Sequence, residues 1–495
     1  MMKIRCVHLS LLALPSILAA VVLLGCPQSE PPATETAPDE TTEPAVNASA
    51  PCAPGSQCLT VDSDGAPNAE GTSTAQCTGT FPDYVVEKSL FPADYDGPWF
   101  QLSQDFPATE PAGGDAPWLA IDFENGQEGA DAYLYALRDY AYDGMIEADF
   151  VPQDNPERAW YHIPMMNFGS GRRELVHGVT KERTLKGPEL GIKPGVSVSN
   201  FAIGFYNDFG GYVAGQVWAD GNDPDLSASR FDEGTMVFKI LFSAATPDDF
   251  QDPANYILEG APEWQIATGN GQLTTVRLMQ MDVAARDDRA QPSGWVYGTF
   301  AFDKDAEDEN PWLRMRPVGL MWGNDPGYTP TDQQNGVPLE ESVVSDEIPA
   351  YAAGHLGWAG RVNGPVDNPI SACMSCHQTA QYPVDAQLAP FSSGCKTDAQ
   401  KLYWFRNVPA GEPFGAVDTA TCLPEQVDPP PVALDTSLQM QVAVQSVLQY
   451  KDVNSCQAAE AGFAAGLAAA VEERTGSPHR TTDAPRVSRG GEGEF

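Results

Sequence analysis

Short apolar or alternating runs, each bounded by polar turn residues, dominate the middle of the chain. Such runs are typical of β-strands, because strand side chains alternate between the two faces of a sheet. The turn signal Asp232-Glu233-Gly234 precedes one of the strongest runs. These runs predict strands at residues 195–206, 235–242, 273–283 and 294–302, within a β-rich domain that spans residues 81–345.

Helical periodicity is confined to a few places, most of them near the C-terminus. We predict a short helix over residues 131–137 and two amphipathic helices over residues 438–450 and 457–473. The predicted fold class is therefore mainly β (α+β), a β-rich body with a partly helical C-terminal region at residues 346–473. The composition of residues 474–495 predicts a disordered tail.

The N-terminus has the pattern of an export signal. An apolar run at residues 9–24 follows a short positive segment, and it is shorter than the roughly 20 residues of a membrane-spanning helix. The run ends in Leu23-Leu24-Gly25-Cys26, which resembles the lipobox of bacterial lipoproteins. The resemblance implies a signal peptide at residues 1–25 and lipidation of Cys26. The implied location is the cell envelope, at the outer membrane facing the periplasm.

The segment after Cys26 predicts a tether, and the overall charge limits the classes of partner that the protein could bind. Residues 26–80 are rich in Pro, Thr, Glu, Ala, Ser and Gly, a composition that predicts a disordered tether. Acidic residues outnumber basic ones by 68 to 28, which gives a net charge of −40 and excludes nucleic acid as a partner. The charge indicates either a solubility adaptation or a docking surface for a basic redox partner protein.

The most specific signal is Cys373-Met374-Ser375-Cys376-His377. Two thiols three positions apart can reach both vinyl groups of one porphyrin edge, and the adjacent His then lies beneath the iron as an axial ligand. A zinc site would need a second ligand pair, a thioredoxin-like site would need a βαβ unit, and a plain disulfide has no use for the His. The motif predicts one covalent heme c bound by Cys373 and Cys376, with His377 as an iron ligand.

The sequence leaves the sixth iron ligand open. His355 precedes a Gly-, Pro- and Asn-rich loop that could wrap the porphyrin edge, and Arg361 in this loop is predicted to meet a heme propionate. Met440 follows His377 at a spacing close to that of small His/Met cytochromes, although it also fits a core position. An open or water-bound iron is the third interpretation. His355 is the metal ligand that we predict beside His377.

Cysteines other than the heme pair indicate an exported protein. The chain has ten cysteines, a number that is common outside the cytosol and unusual inside it. Without the signal-peptide, lipid and heme cysteines, six remain, namely Cys52, Cys58, Cys77, Cys395, Cys422 and Cys456. We predict one bridge between Cys395 and Cys422, and the sequence leaves the other pairings open.

Two further histidines, His162 and His177, lie among Arg and Glu residues. They could form a substrate or metal pocket, but no metal-ligand spacing such as H-E-x-x-H occurs there. We favour a structural interpretation, in which ion pairs and capping hydrogen bonds hold the segment.

The order of several short motifs resembles the cytochrome c-prime-beta family, which includes hydroxylamine-oxidising cytochromes. In chain order, these motifs are Phe91-Pro-Ala-Asp-Tyr95, Tyr206-Asn-Asp208, Phe231 to Lys239, Leu278 to Asp287, Gly294 to Gly298 and finally the Cys-x-x-Cys-His sequence. The resemblance implies a β-sheet heme fold with the attachment motif near the C-terminal end. The heme-linked lysine of the hydroxylamine oxidisers is expected between Asn207 and Gly234, where this chain has none, which argues against that reaction.

Other segments, such as residues 204–208, 317–324 and 360–365, look like long bacterial monoheme c-type cytochrome lipoproteins. Two functions follow from these resemblances and from the heme motif. The first is electron transfer by an exported heme lipoprotein. The second is an open-site heme-dependent oxidoreductase or gas-binding protein that acts on small nitrogen oxides or related ligands.

Overall fold

The computed structural model describes a single packed unit of the chain. The described residues are 92, 94–113, 116–164, 174, 176–221, 223–268, 272–384, 386–390 and 394–452. The chain divides into two units, Met1–Asn47 and Ala48–Phe495, and every described residue belongs to the second. The predictions for the signal peptide, Cys26, the tether, the helix at 457–473 and the tail therefore lie outside the described residues.

Antiparallel strands form the centre of the described part. The strands are β1 (Thr180–Lys181), β2 (Leu185–Lys186), β3 (Ser197–Val198), β4 (Asn200–Tyr206), β5 (Met236–Ser243), β6 (Glu263–Thr268), β7 (Gln272–Arg286), β8 (Trp295–Phe302), β9 (Met315–Met321), β10 (Ser342–Val344), β11 (Gln381–Tyr382), β12 (Ala416–Asp418), β13 (Leu423–Glu425) and β14 (Val432–Ala433). Eight of them form one sheet in the order β1-β4-β5-β7-β8-β9-β10, with β6 paired to β7. Three two-stranded pairs, β2-β3, β11-β14 and β12-β13, complete the described sheets.

The described α-helices are mostly short. They are α1 (Gly126–Tyr142), α2 (Asp208–Val217), α3 (Pro330–Gln334), α4 (Ala350–Ala353), α5 (Cys373–His377), α6 (Asp398–Lys401) and α7 (Leu438–Asp452). No helix in the described ranges combines the length and the apolar character that a membrane crossing requires.

The strand and helix predictions that fall on described residues are confirmed. The four predicted strands correspond to β4, β5, β7 and β8, and the two predicted helices correspond to α1 and α7. The β-rich, antiparallel character of the fold is also confirmed. The strands could be predicted from the sequence because their buried faces are continuously apolar, as in the central strand β5.

One face of the sheet packs against α1. The pairing register aligns Phe238, Val283 and Gly298 across β5, β7 and β8. Gly298 lies where Leu134 of α1 approaches the sheet, and a Cβ atom added at Gly298 would lie 2.1 Å from Leu134 Cδ2. The absence of a side chain at this position therefore allows the helix to approach the sheet closely.

The opposite face of the sheet is covered by the C-terminal residues. A buried hydrophobic cluster joins Tyr206 and Trp295 of the sheet to Trp358, Trp404 and Leu434. The predicted regions 81–345 and 346–473 therefore share one core.

The predicted bridge between Cys395 and Cys422 is confirmed. Their Cα atoms lie 5.1 Å apart, and the disulfide closes a segment with a sequence separation of 27 residues. Both cysteines are buried in the cluster that covers the sheet, so the bridge stabilises the C-terminal covering layer.

Candidate functional site

The short helix α5 presents the two cysteines and the histidine of the motif on one face. Residues three and four positions apart on a helix lie on the same side, and Cys373, Cys376 and His377 all remain partly accessible. Met374 and Ser375 between them are buried, with exposures of 1% and 0%. The helix therefore packs its Met374 side into the core, and its sulfur and imidazole side stays partly accessible.

Both motif sulfurs are free thiols. Cys373 and Cys376 form no disulfide with each other. Burial raises the pKa of Cys376 to about 12, and burial together with the Asp367 carboxylate raises the pKa of Cys373 well above its usual range. Both residues are thus neutral thiols at pH 7.

The imidazole of His377 is held in one tautomer. Its Nδ1 lies 3.1 Å from the Thr436 carbonyl oxygen, and because a carbonyl only accepts hydrogen bonds, Nδ1 carries the proton. Burial, reinforced by the positive charge of Lys239, lowers the pKa of His377 to about 4. The neutral ring therefore offers Nε2 as a basic nitrogen, the arrangement that iron ligation by histidine uses.

Three consecutive residues, Asp435, Thr436 and Ser437, connect this histidine to the sheet, and we call them the strap. Thr436 Oγ1 accepts a hydrogen bond of 2.5 Å from the Tyr297 hydroxyl, and Ser437 Oγ lies 2.7 Å from the Tyr206 hydroxyl. Asp435 and Thr436 have φ angles of +41° and +64°. A β-branched residue rarely adopts this left-handed conformation, so the strap holds strain where it meets His377.

A row of polar side chains crosses the sheet on the face that α5 covers. The register places Lys239, Asp282 and Thr299 side by side on β5, β7 and β8. Lys239 Nζ lies 3.1 Å from Asp282 Oδ2, and Thr299 Oγ1 donates to Asp282 Oδ1 at 2.8 Å. Although these are inner strands, the Lys239 and Asp282 side chains keep 26% and 19% exposure, so neither is fully buried in the core.

A second carboxylate joins this polar row. The amide of Gln280 donates to Asp282 Oδ1 at 2.7 Å and to Asp367 Oδ2 at 2.9 Å. Burial and the Asp282 charge raise the pKa of Asp367. Burial alone would lower the pKa of Lys239, but the neighbouring Asp282, Glu182 and Asp367 carboxylates raise it, so Lys239 is a cation beside the motif.

These observations fit a covalently held heme. Cys373 and Cys376 would hold it through thioether bonds, and His377 Nε2 would bind its iron. A planar group would lie on the partly accessible motif face of α5, beside the partly exposed Lys239 and Asp282 side chains. Among the described residues no cluster of three or more His, Cys, Asp or Glu side chains is arranged for a bare metal ion.

Arg361, predicted to meet a heme propionate, is fully buried. Its guanidinium donates to the backbone carbonyls of Asn324, Asp325, Tyr328 and Trp358 at distances between 2.8 and 3.0 Å. Four of its five N–H groups are therefore committed to the backbone. This geometry describes a residue that braces the segment at 324–328, and contact with a propionate stays a prediction.

His355, the predicted sixth ligand, faces other partners. Its Nε2 lies 3.2 Å from the Asp367 carbonyl oxygen and 3.8 Å from Glu189 Oε2. Nε2 therefore carries a proton, and only Nδ1 could reach a metal. Met440, the alternative, accepts a hydrogen bond of 3.2 Å from the Trp218 indole at its Sδ. Iron ligation by either residue stays a prediction.

His162 and His177 have separate environments. His162 Nδ1 lies 2.9 Å from the Gly204 carbonyl oxygen, whereas the His177 ring stacks on Trp264 at a centroid distance of 4.7 Å. Glu174 accepts backbone hydrogen bonds from His177 and from Ala267 of β6. These contacts agree with the structural interpretation for both histidines. Residues 165–173 and 175 of this segment lie outside the described residues.

Replacing His177 with phenylalanine is expected to reduce the acid sensitivity of the fold. Burial lowers the pKa of His177 to about 3, so below pH 6.5 protonation favours the unfolded chain. Wild-type stability should fall by about 1.4 kcal/mol per pH unit between pH 6.5 and 3 relative to His177→Phe. Urea unfolding of both proteins at pH 7 and pH 4 measures the difference. Parallel pH profiles would refute this assignment.

Several site residues escaped sequence analysis. Lys239, Asp282 and Thr436 lie close to the motif in the fold although they are far from it in sequence, and Asp367 lies near it in both. The available signal was that Lys239 and Asp282 are charged residues within otherwise apolar strand segments, which is unusual for inner strands.

No family model matches the chain, and neither a curated protein nor a solved structure is significantly similar to it.

Proposed function

We propose that the protein is an exported c-type cytochrome that carries one covalent heme and transfers electrons. The observation that supports it best is the arrangement of His377, whose Nδ1 proton faces the Thr436 carbonyl while two free thiols share its helix face. Heme iron supplies one-electron redox chemistry when bound. The residues of the chain would hold the His377 imidazole neutral and oriented through the strap, and the polar row would line one side of the heme.

The cellular setting is part of the same proposal. Lipidation at Cys26 would hold the protein in the cell envelope, at the outer membrane and facing the periplasm, and residues 26–80 would act as a tether. The net charge of −40 suits a basic redox partner, because complementary charge speeds the encounter of two proteins.

A specific observation also favours the second candidate, an open-site heme enzyme or gas-binding protein. His355 Nε2 and Met440 Sδ, the predicted sixth ligands, both make hydrogen bonds elsewhere. A sixth position without a protein ligand would leave room for a small molecule such as a nitrogen oxide.

The optical spectrum of the full-length protein, exported from cells that attach c-type heme, tests both candidates. We expect the absorbance of a heme with two thioether bonds. A low-spin ferrous form that ignores carbon monoxide would support electron transfer and exclude the open site. A ferrous form that binds carbon monoxide readily would support the second candidate. An exported protein without heme absorbance would refute the proposal.

A further inference from the structure

A line of aromatic rings leads away from the candidate iron ligand. The His377 ring contacts the Tyr297 ring at a centroid distance of 4.9 Å, and Tyr297 lies 6.2 Å from Trp295. Trp295 in turn lies 5.8 Å from Phe231. These aromatic side chains are buried, and Phe231 is flanked by exposed residues on both sides. The line therefore runs from the motif to Phe231, which is buried but has exposed neighbours in the chain.

The Trp295 indole has a proton acceptor of its own. Its Nε1 donates to Asp435 Oδ1 at 3.1 Å, and Asp435 Oδ2 accepts the Phe231 N–H at 2.8 Å. Both oxygens of this buried carboxylate thus accept hydrogen bonds, which is the pattern of the ionised form. Burial raises the pKa of Asp435, whereas these two hydrogen bonds and the positive charge of Arg286 act against that shift and favour the ionised form. An ionised carboxylate at the indole N–H stabilises an indole that has lost an electron.

Tyr297 lies closer to His377 but lacks such an acceptor. Its hydroxyl donates to the neutral Thr436 hydroxyl. A phenol gives up an electron readily only when a base takes its proton, so Tyr297 is a poorer electron donor here than Trp295. The contacts therefore favour Trp295 as the end point and Tyr297 as the connection.

We propose that Trp295 is a redox-active residue, which loses one electron through Tyr297 toward the heme when the protein reacts with a peroxide. This inference rests on the proposed heme. Hydrogen peroxide takes up two electrons and two solvent protons and leaves as two water molecules. One electron comes from the heme group and one from the Trp295 indole, whose Nε1 proton moves to Asp435 Oδ1. A neutral indolyl radical, a protonated carboxyl and a heme group short of one electron result. Two one-electron donations from an external reductant would restore the heme group and the indole, which regains its proton from Asp435.

The experiment mixes the full-length, heme-bearing ferric protein with hydrogen peroxide and records electron paramagnetic resonance after rapid freezing. We expect an organic radical whose signal narrows when the protein contains ring-deuterated tryptophan. The signal should be lost in Trp295→Phe and should decay several-fold faster in Asp435→Asn. Trp404→Phe is the matched control, because Trp404 is buried in the same cluster but donates to the Gln387 carbonyl, and it should keep the signal.

Peptide mass mapping after the reaction gives a second readout, with oxygen added at Trp295 in the wild-type protein. No tryptophan radical, an unchanged signal in Trp295→Phe, or no reaction with peroxide would overturn the inference. Heme stain on a denaturing gel of the same sample separates the two proposals. With stain present, such a result refutes only the Trp295 role; with stain absent, the proposed function itself fails.

Discussion

Replacing His377 with alanine is expected to remove the axial imidazole from the heme while both thioether bonds remain available. Nε2 is the basic nitrogen of this ring because Nδ1 donates to Thr436, so the iron loses its only nitrogen from the motif. The absorption spectrum, normalised to covalently bound heme, should change to that of iron without this ligand. Added imidazole should restore much of the original spectrum.

Two comparisons make this prediction specific. His355→Ala tests the predicted sixth ligand, which could bind iron only through Nδ1 because Nε2 donates to the Asp367 carbonyl. An unchanged spectrum would exclude His355 as the sixth ligand. A large spectral change in His355→Ala would instead identify it as the sixth ligand. If His377→Ala had the wild-type spectrum, the assignment of the axial ligand would be wrong.

Replacing Arg361 with methionine is expected to destabilise the fold by about 3–5 kcal/mol, the usual cost of breaking a buried charged network. The side chain is fully buried, and methionine would leave four backbone carbonyls without their donor. It would also remove the contacts of the guanidinium with the Trp358 and Phe405 rings, whose centroids lie 5.1 and 4.6 Å from it. Arg361→Lys should lose less free energy of unfolding than Arg361→Met, since an ammonium still reaches some of the carbonyls.

Urea unfolding measures this effect best in a Cys373→Ala, Cys376→Ala background, where no covalent heme contributes to stability. Lys304→Met is the control for losing a charge, because Lys304 pairs with the exposed Asp305 and should cost at most about 1 kcal/mol. A loss below 1 kcal/mol in Arg361→Met would contradict the bracing role and would favour the propionate contact predicted from the sequence.

Local patterns explain which features the sequence predicted correctly. The residues of strand β5 are contiguous in the chain, so the apolar face of the strand can be recognised directly from the sequence. The bridge between Cys395 and Cys422 was also predicted. In each case the informative residues are close together in the chain or belong to a small set.

Features that depend on register or on long-range packing were not predicted. Lys239 and Asp282 are 43 positions apart by their numbers, and they meet because β5 and β7 pair in one particular register. The Thr436 carbonyl reaches His377 across 59 positions, and nothing near Thr436 in sequence indicates this contact. Arg361 was predicted to meet a heme propionate because its loop could wrap the porphyrin edge, whereas its guanidinium donates to backbone carbonyls of the segment at 324–328.

The central claim is that heme is covalently attached at Cys373 and Cys376. Protease digestion of the denatured, exported protein followed by mass spectrometry tests it directly. The account predicts that the peptide containing residues 373–377 carries the mass of one heme, and that Cys373→Ala with Cys376→Ala abolishes it. Removing the disulfide cysteines Cys395 and Cys422 should leave the heme peptide intact. An unmodified peptide with two free thiols, from cells that attach heme to other c-type cytochromes, would contradict the account.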